Sequence, residues 1–143
     1  MPGIHEQEVK SLETAMFEAS GSYPSTFTNI GPAFVAPYDL TVVSVEVIVE
    51  ANGSGGGYSE FDVVAGASGN APATILSTKP RVPGNGGVWG RSGVTASSVA
   101  AVVNGTGNYA KGTIFSCNIT SAGNQPPTTN PVSATVVMTY RRQ

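Results

Sequence analysis

Alternation of apolar and polar positions is the dominant signal along this chain. From Leu40 to Glu50, Thr41, Val43, Val45, Val47 and Val49 fall on one side of a two-residue period, with Ser44, Glu46 and Glu50 on the other. A strand with this pattern buries one face and wets the other. Tyr58 to Val64 alternates again, with Phe61 and Val63 facing in and Glu60 and Asp62 facing out. Thr74 to Ser77 and Thr113 to Ile119 read as further short strands. Val132 to Tyr140 closes the series, with Val132, Ala134, Val136, Met138 and Tyr140 on one face. Turn-forming stretches separate these runs: the glycine-rich segment Ala51 to Gly57, the Gly- and Pro-rich loop Pro80 to Gly93, and the proline-rich loop Ser121 to Pro131. Val94 to Val103 is weakly patterned and fits either a strand or a short helix.

The first residues follow a different period. Val9, Leu12, Met16 and Ala19 are spaced to form one stripe of a helix, and Glu6 and Lys10 stand at i, i+4. The pattern predicts a short amphipathic helix over 4–18, ended by Ala19-Ser20-Gly21-Ser22. Alone in water such a helix is marginal, so it needs a partner. That partner is the chain's own domain, other copies of the chain in a trimeric bundle, or a larger assembly. Val9, Leu12 and Met16 are the candidate contact residues. The fold class is therefore all-β: a jelly-roll-like two-sheet sandwich over 22–143, preceded over 1–21 by a short helical or extended arm serving attachment or oligomerisation.

Composition narrows the functional classes. Only 11% of residues are charged, against a usual share of about 25%. With seven Lys and Arg and a net charge of −2, the chain lacks the basic patch that nucleic acid demands. No apolar run reaches the ~18 residues of a membrane-spanning helix. Met1-Pro2-Gly3-Ile4-His5-Glu6 is unlike a secretory signal, which points to synthesis in a cytoplasm. The single cysteine, Cys117, excludes an intrachain disulfide.

Few stretches of the chain approach a motif that carries chemistry. His5 is the only histidine, so His5-Glu6-Gln7-Glu8-Val9 lacks the second histidine of a zinc-protease helix. Gly66-Ala67-Ser68-Gly69-Asn70 misses a nucleophile elbow because Asn70 stands where glycine is needed. Gly107 to Gly112 differs from a phosphate loop in that Lys111 precedes its glycine. No catalytic residue, metal ligand or cofactor is assigned. Glu46, Glu50, Glu60 and Asp62 would cluster if strands 40–50 and 58–64 formed a hairpin, and could then hold Ca²⁺. They could equally meet Lys79, Arg81 or Arg91, or lie in water. Trp89 and Arg91 in a glycine-rich loop have the composition of a contact hot spot, and Tyr109 is a further candidate loop contact. Cys117 shares a face with Phe115 and Ile119 and reads as a buried thiol.

Ala36-Pro37-Tyr38-Asp39-Leu40-Thr41-Val42-Val43-Ser44-Val45-Glu46-Val47 resembles the opening strand of small jelly-roll modules in bacteriophage virion proteins. Phe61-Asp62-Val63-Val64, then Ala73 to Pro80, Ser116 to Gly123 and Val132 to Arg141 follow in that family's order. The likeness spans residues 23–142. The turn Val64 to Ala71 and the lack of an acidic residue near Cys117 depart from it, so no ligand residue is carried over. The resemblance implies a non-enzymatic virion structural protein, made in the host cytoplasm. Its form would be a capsid decoration or cement protein that binds the major capsid protein or another virion component, commonly as a homotrimer, without nucleic acid or membrane. The alternative it implies is a receptor- or carbohydrate-binding module of a tail or head fibre.

Overall fold

A computed structural model describes residues 11–20, 27–51, 58–83, 90–91, 102–122 and 133–143. Every regular element among them is a strand. In chain order these are β1 (Leu12–Ser20), β2 (Phe27–Val35), β3 (Leu40–Ala51), β4 (Tyr58–Gly66), β5 (Ala73–Thr74), β6 (Leu76–Thr78), β7 (Arg81–Pro83), β8 (Gly90–Arg91), β9 (Val102–Val103), β10 (Asn108–Tyr109), β11 (Ile114–Ala122) and β12 (Ser133–Arg142).

One sheet runs β1-β12-β3-β10, with β8 also on β3. The other runs β2-β11-β4-β5, with β7 also on β4. All of these pairings are antiparallel. Their order is nested. The first long strand pairs with the last, the second with the one before it, and β3 and β4 with the short strands between. The first four strands alternate between sheets, and so do β11 and β12. This is the wrapping of a jelly roll, and it matches the sandwich expected from the alternating pattern. A small third sheet, β6-β9, is tied to the second where Val63 O accepts the Ile75 amide at 2.9 Å.

Facing rows of side chains form the core. Phe17, Val136 and Val47 make one row of the first sheet, and Ala15, Met138 and Val45 the next. From the second sheet come Phe61 beside Ile119, Val63 beside Cys117, and Ala65 beside Phe115. Phe17, Phe61 and Phe115 are fully enclosed, and each contributes about 1.5–3 kcal/mol through burial. The inward faces expected for Tyr58–Val64 and Val132–Tyr140 are observed wherever their side chains are described.

Two expectations are corrected. The helix over 4–18 gives way, from Leu12 onward, to strand β1, which pairs with β12 residue for residue from Leu12↔Arg141 to Ser20↔Ser133. Leu12 and Met16 sit four residues apart, so they share a face in a helix and in a strand alike. Ala15 and Phe17 decide the matter, because both are buried while Leu12 and Met16 remain 63% and 53% exposed. A nine-residue ladder and the enclosed Phe17 ring outweigh a marginal helix. From Leu12 the expected arm is thus an edge strand of the sandwich, and a helical bundle through Leu12 and Met16 is removed as a route to a trimer. Val9 and the Glu6–Lys10 pair lie outside the described residues.

The second correction concerns β3. Tyr140 pairs with Val42 but Thr139 pairs with Ser44, so Val43 is the extra residue of a bulge. The bulge reverses the phase of the strand. Leu40 and Val42 point inward before it, Val45 and Val47 after it, and Val43 is left 46% exposed although its alternation placed it inside with Thr41.

Candidate functional site

The described surface offers four places where chemistry or binding could reside. The first is a strip of charge on the outer face of the second sheet. Glu60 and Asp62 project there from β4, next to β7. Arg81 Nε donates to Glu60 Oε2 at 2.8 Å, and Lys79 Nζ lies 3.2 Å from Asp62 and 3.9 Å from Glu60. Thr74 Oγ1 donates to Asp62. The hairpin that would have gathered four carboxylates does not form, because β3 and β4 belong to different sheets. Glu46 is therefore on the opposite sheet from Glu60 and Asp62, and the Glu50 side chain lies outside the described residues. Lys79 and Arg81 neutralise the two acids that do meet. Among the described residues no three His, Cys, Asp or Glu side chains converge on a common point.

The second place is the end of the sandwich near Asp39. Lys111 N donates to Asp39 Oδ1 at 2.8 Å, Gln143 N to Asp39 O at 3.0 Å, and Gln143 Nε2 to Leu40 O at 2.8 Å. The Arg142 guanidinium lies 5.1 Å from the centre of the Tyr38 ring, in cation–π range. Tyr109 belongs to this end. Its ring meets Phe115 edge-on, with centroids 5.2 Å apart, and burial raises its phenol pKa. The ring thus packs against the core while remaining partly exposed.

Tyr109 and Arg91 are not brought together. Tyr109 pairs with Leu40 at one end of β3, and Arg91 with Ile48 further along it. Eight residues of strand separate those positions by roughly 26 Å. Trp89 and the Arg91 side chain lie outside the described residues.

The third place is a groove of about 290 Å³ on the second sheet. It is walled by the turn Gly66–Pro72 and floored by Ala33, Ile114 and Ser116. Gly69 takes a φ of +85° as Asn70 N closes on Ala67 O at 3.0 Å, so the stretch that approached a nucleophile elbow is a tight turn. Among the described residues, no ionisable side chain lines the groove.

Cys117 is fully enclosed. Burial pushes its thiol pKa far up, and the Asp62 charge adds to this, so it stays protonated and inert.

The fourth place is the exposed part of β1. Leu12, Thr14, Met16 and Glu18 point outward, and Met16 stands opposite Val137 of β12. Leu12 and Met16, expected as contact residues on a helix, are exposed on a strand instead. Sequence reasoning placed these two residues on the wrong element. It missed β2, whose Gly31-Pro32 breaks the alternation, and it missed the Asp39–Lys111–Gln143 clamp, whose bonds join residues far apart in sequence.

No family model, curated protein or solved structure matches the chain.

Proposed function

We propose that this chain is a non-enzymatic structural protein of a virion, most specifically a decoration protein that binds the major capsid protein. The observation that carries the reading is the nested jelly-roll pairing, completed within so short a chain. Jelly rolls recur as virion building blocks and lectin domains, and the order of motifs along the chain resembles phage virion modules. The surface chemistry agrees with such a role. The groove beside the Gly66–Pro72 turn has no ionisable lining among the described residues. The charged strip is internally paired, and the cysteine is sealed in the core. A rigid sandwich with few charges suits a part whose work is to fit against a protein lattice.

The test is density-gradient sedimentation of a lysate from the producing cells, probed with antibody to the chain. The chain is expected in the band of nuclease-resistant particles, at a fixed ratio to the major capsid protein. Recovery only as free protein at the top of the gradient would overturn the reading. A few copies per particle, together with binding to a glycan panel, would shift it to a receptor-binding module.

A further inference from the structure

We infer that β1 is a self-pairing edge: two copies of the chain join their β1 strands antiparallel about a two-fold axis through Thr14. Among the described residues β1 pairs with β12 alone; an edge strand carries a row of backbone groups open to a further ladder, and folds that must stay apart blunt such edges with proline, bulges or lysine. The two edge strands at this corner of the sandwich differ sharply in this respect. β2 carries Pro32, and its register against β11 is broken twice, between Phe115 and Cys117 and between Cys117 and Ile119. β1 has no proline, glycine or lysine between Leu12 and Ser20, and its register against β12 is unbroken over all nine residues. The chain approaches itself at this corner, where β1 and β2 lie close, but the two strands share no ladder.

The occupant is argued from the order of side chains on the outward face. In an antiparallel pair centred on Thr14, Leu12 of one copy falls opposite Met16 of the other, Met16 opposite Leu12, and Thr14 opposite itself. The two most exposed large apolar side chains described in the chain, Leu12 at 63% and Val35 at 54%, are followed by Met16 at 53%. The proposed register covers the first and third of these with each other. Moving the centre to Glu13 sets Glu13 against itself, a like-charge pair, moving it to Ala15 sets Leu12 against Glu18, and either move separates Leu12 from Met16. The order leucine, threonine, methionine at alternate positions is therefore self-complementary in the register centred on Thr14, as an isologous interface requires. The first sheet would then run continuously through both copies, with β1 of each at its centre.

A single edge strand buries less than the ~1,200 Å² typical of a stable interface. The pair is therefore a weak one in solution, strengthened wherever copies are held side by side.

Size-exclusion chromatography with light scattering on the full chain, over a concentration series, tests this. A monomer–dimer equilibrium is expected. Leu12→Lys and Met16→Glu should each abolish the dimer, and circular dichroism should show both variants folded, since each side chain is more than half exposed. Mixing the two variants should restore a dimer, because the register sets the introduced lysine of one against the introduced glutamate of the other. Thr14→Cys should form an interchain disulfide on mild oxidation, Cys117 being enclosed. A chain that is monomeric throughout the series, or trimeric as the family resemblance implies, overturns the inference. So do variants that remain dimeric alone or fail to recover on mixing.

Discussion

Phe17→Ala, set beside Met16→Ala, separates the observed strand from the helix that the spacing of Leu12, Met16 and Ala19 predicts. Phe17 is fully buried between Val136 in its own sheet and the facing side chains of the core, whereas Met16 is 53% exposed. Truncating an enclosed phenylalanine loses its transfer free energy and leaves a cavity, which together cost about 3–5 kcal/mol. Typical domains hold only about 5–15 kcal/mol in total. The variant should therefore melt about 10–15 °C lower. Removing the exposed Met16 side chain should change stability by no more than about 0.5 kcal/mol. On a helix the two positions would trade places, because the buried stripe contains Met16 and turns Phe17 away from it. The assay is urea unfolding followed by circular dichroism, run dilute enough that contacts between copies contribute nothing. A larger loss at Met16 than at Phe17, or small equal losses, would refute the placement of β1 in the sandwich.

Other consequences follow from single observations. Gly107 has a φ of +70°, and a Cβ there would stand 2.6 Å from the Val42 carbonyl oxygen; Gly107→Ala should cost upward of ~1 kcal/mol, read as a lower urea midpoint. A double-mutant cycle on Glu60 and Arg81 should return only about 0.2–1 kcal/mol, shrinking as salt is added, since the pair lies near the surface. Burial raises the phenol pKa values of Tyr109 and Tyr140, with the Glu13 charge a second cause at Tyr140. Both groups bind their protons more tightly folded than unfolded, so their contribution is complete below about pH 10 and is lost as pH rises past it; urea midpoints on the two sides of that value should show the decline. Cys117 should resist a thiol reagent in the native chain and react at once in denaturant, and fast native labelling would show the core to be open.

Much of the sandwich was legible in the sequence because valine-rich alternation is a local signal. β3, β4, β11 and β12 carry it, and their inward side chains form the observed core. What escaped was set by contacts between distant residues. The Val43 bulge is imposed by the β12 register, and no feature of Leu40–Glu50 alone reveals it. β1 was ambiguous because a four-residue spacing satisfies both periods, and only pairing with β12 resolves it. The carboxylates of β3 and β4 looked ready to cluster because adjacent strands so often form hairpins, whereas nested wrapping sends these two to opposite sheets. Short edge strands such as β7 and β10 hold three and two residues and carry no period to read. The surface was harder still. Leu12 and Met16 were legible as an apolar pair sharing one face, but their element and direction were not.

The claim that the chain is a virion component is tested most directly by add-back. Particles assembled without the chain are titrated with the purified protein, and the copies bound per major capsid protein are counted after sedimentation. The account predicts saturation at a fixed whole-lattice ratio. Absence of binding, or saturation at only a few copies per particle, would contradict it.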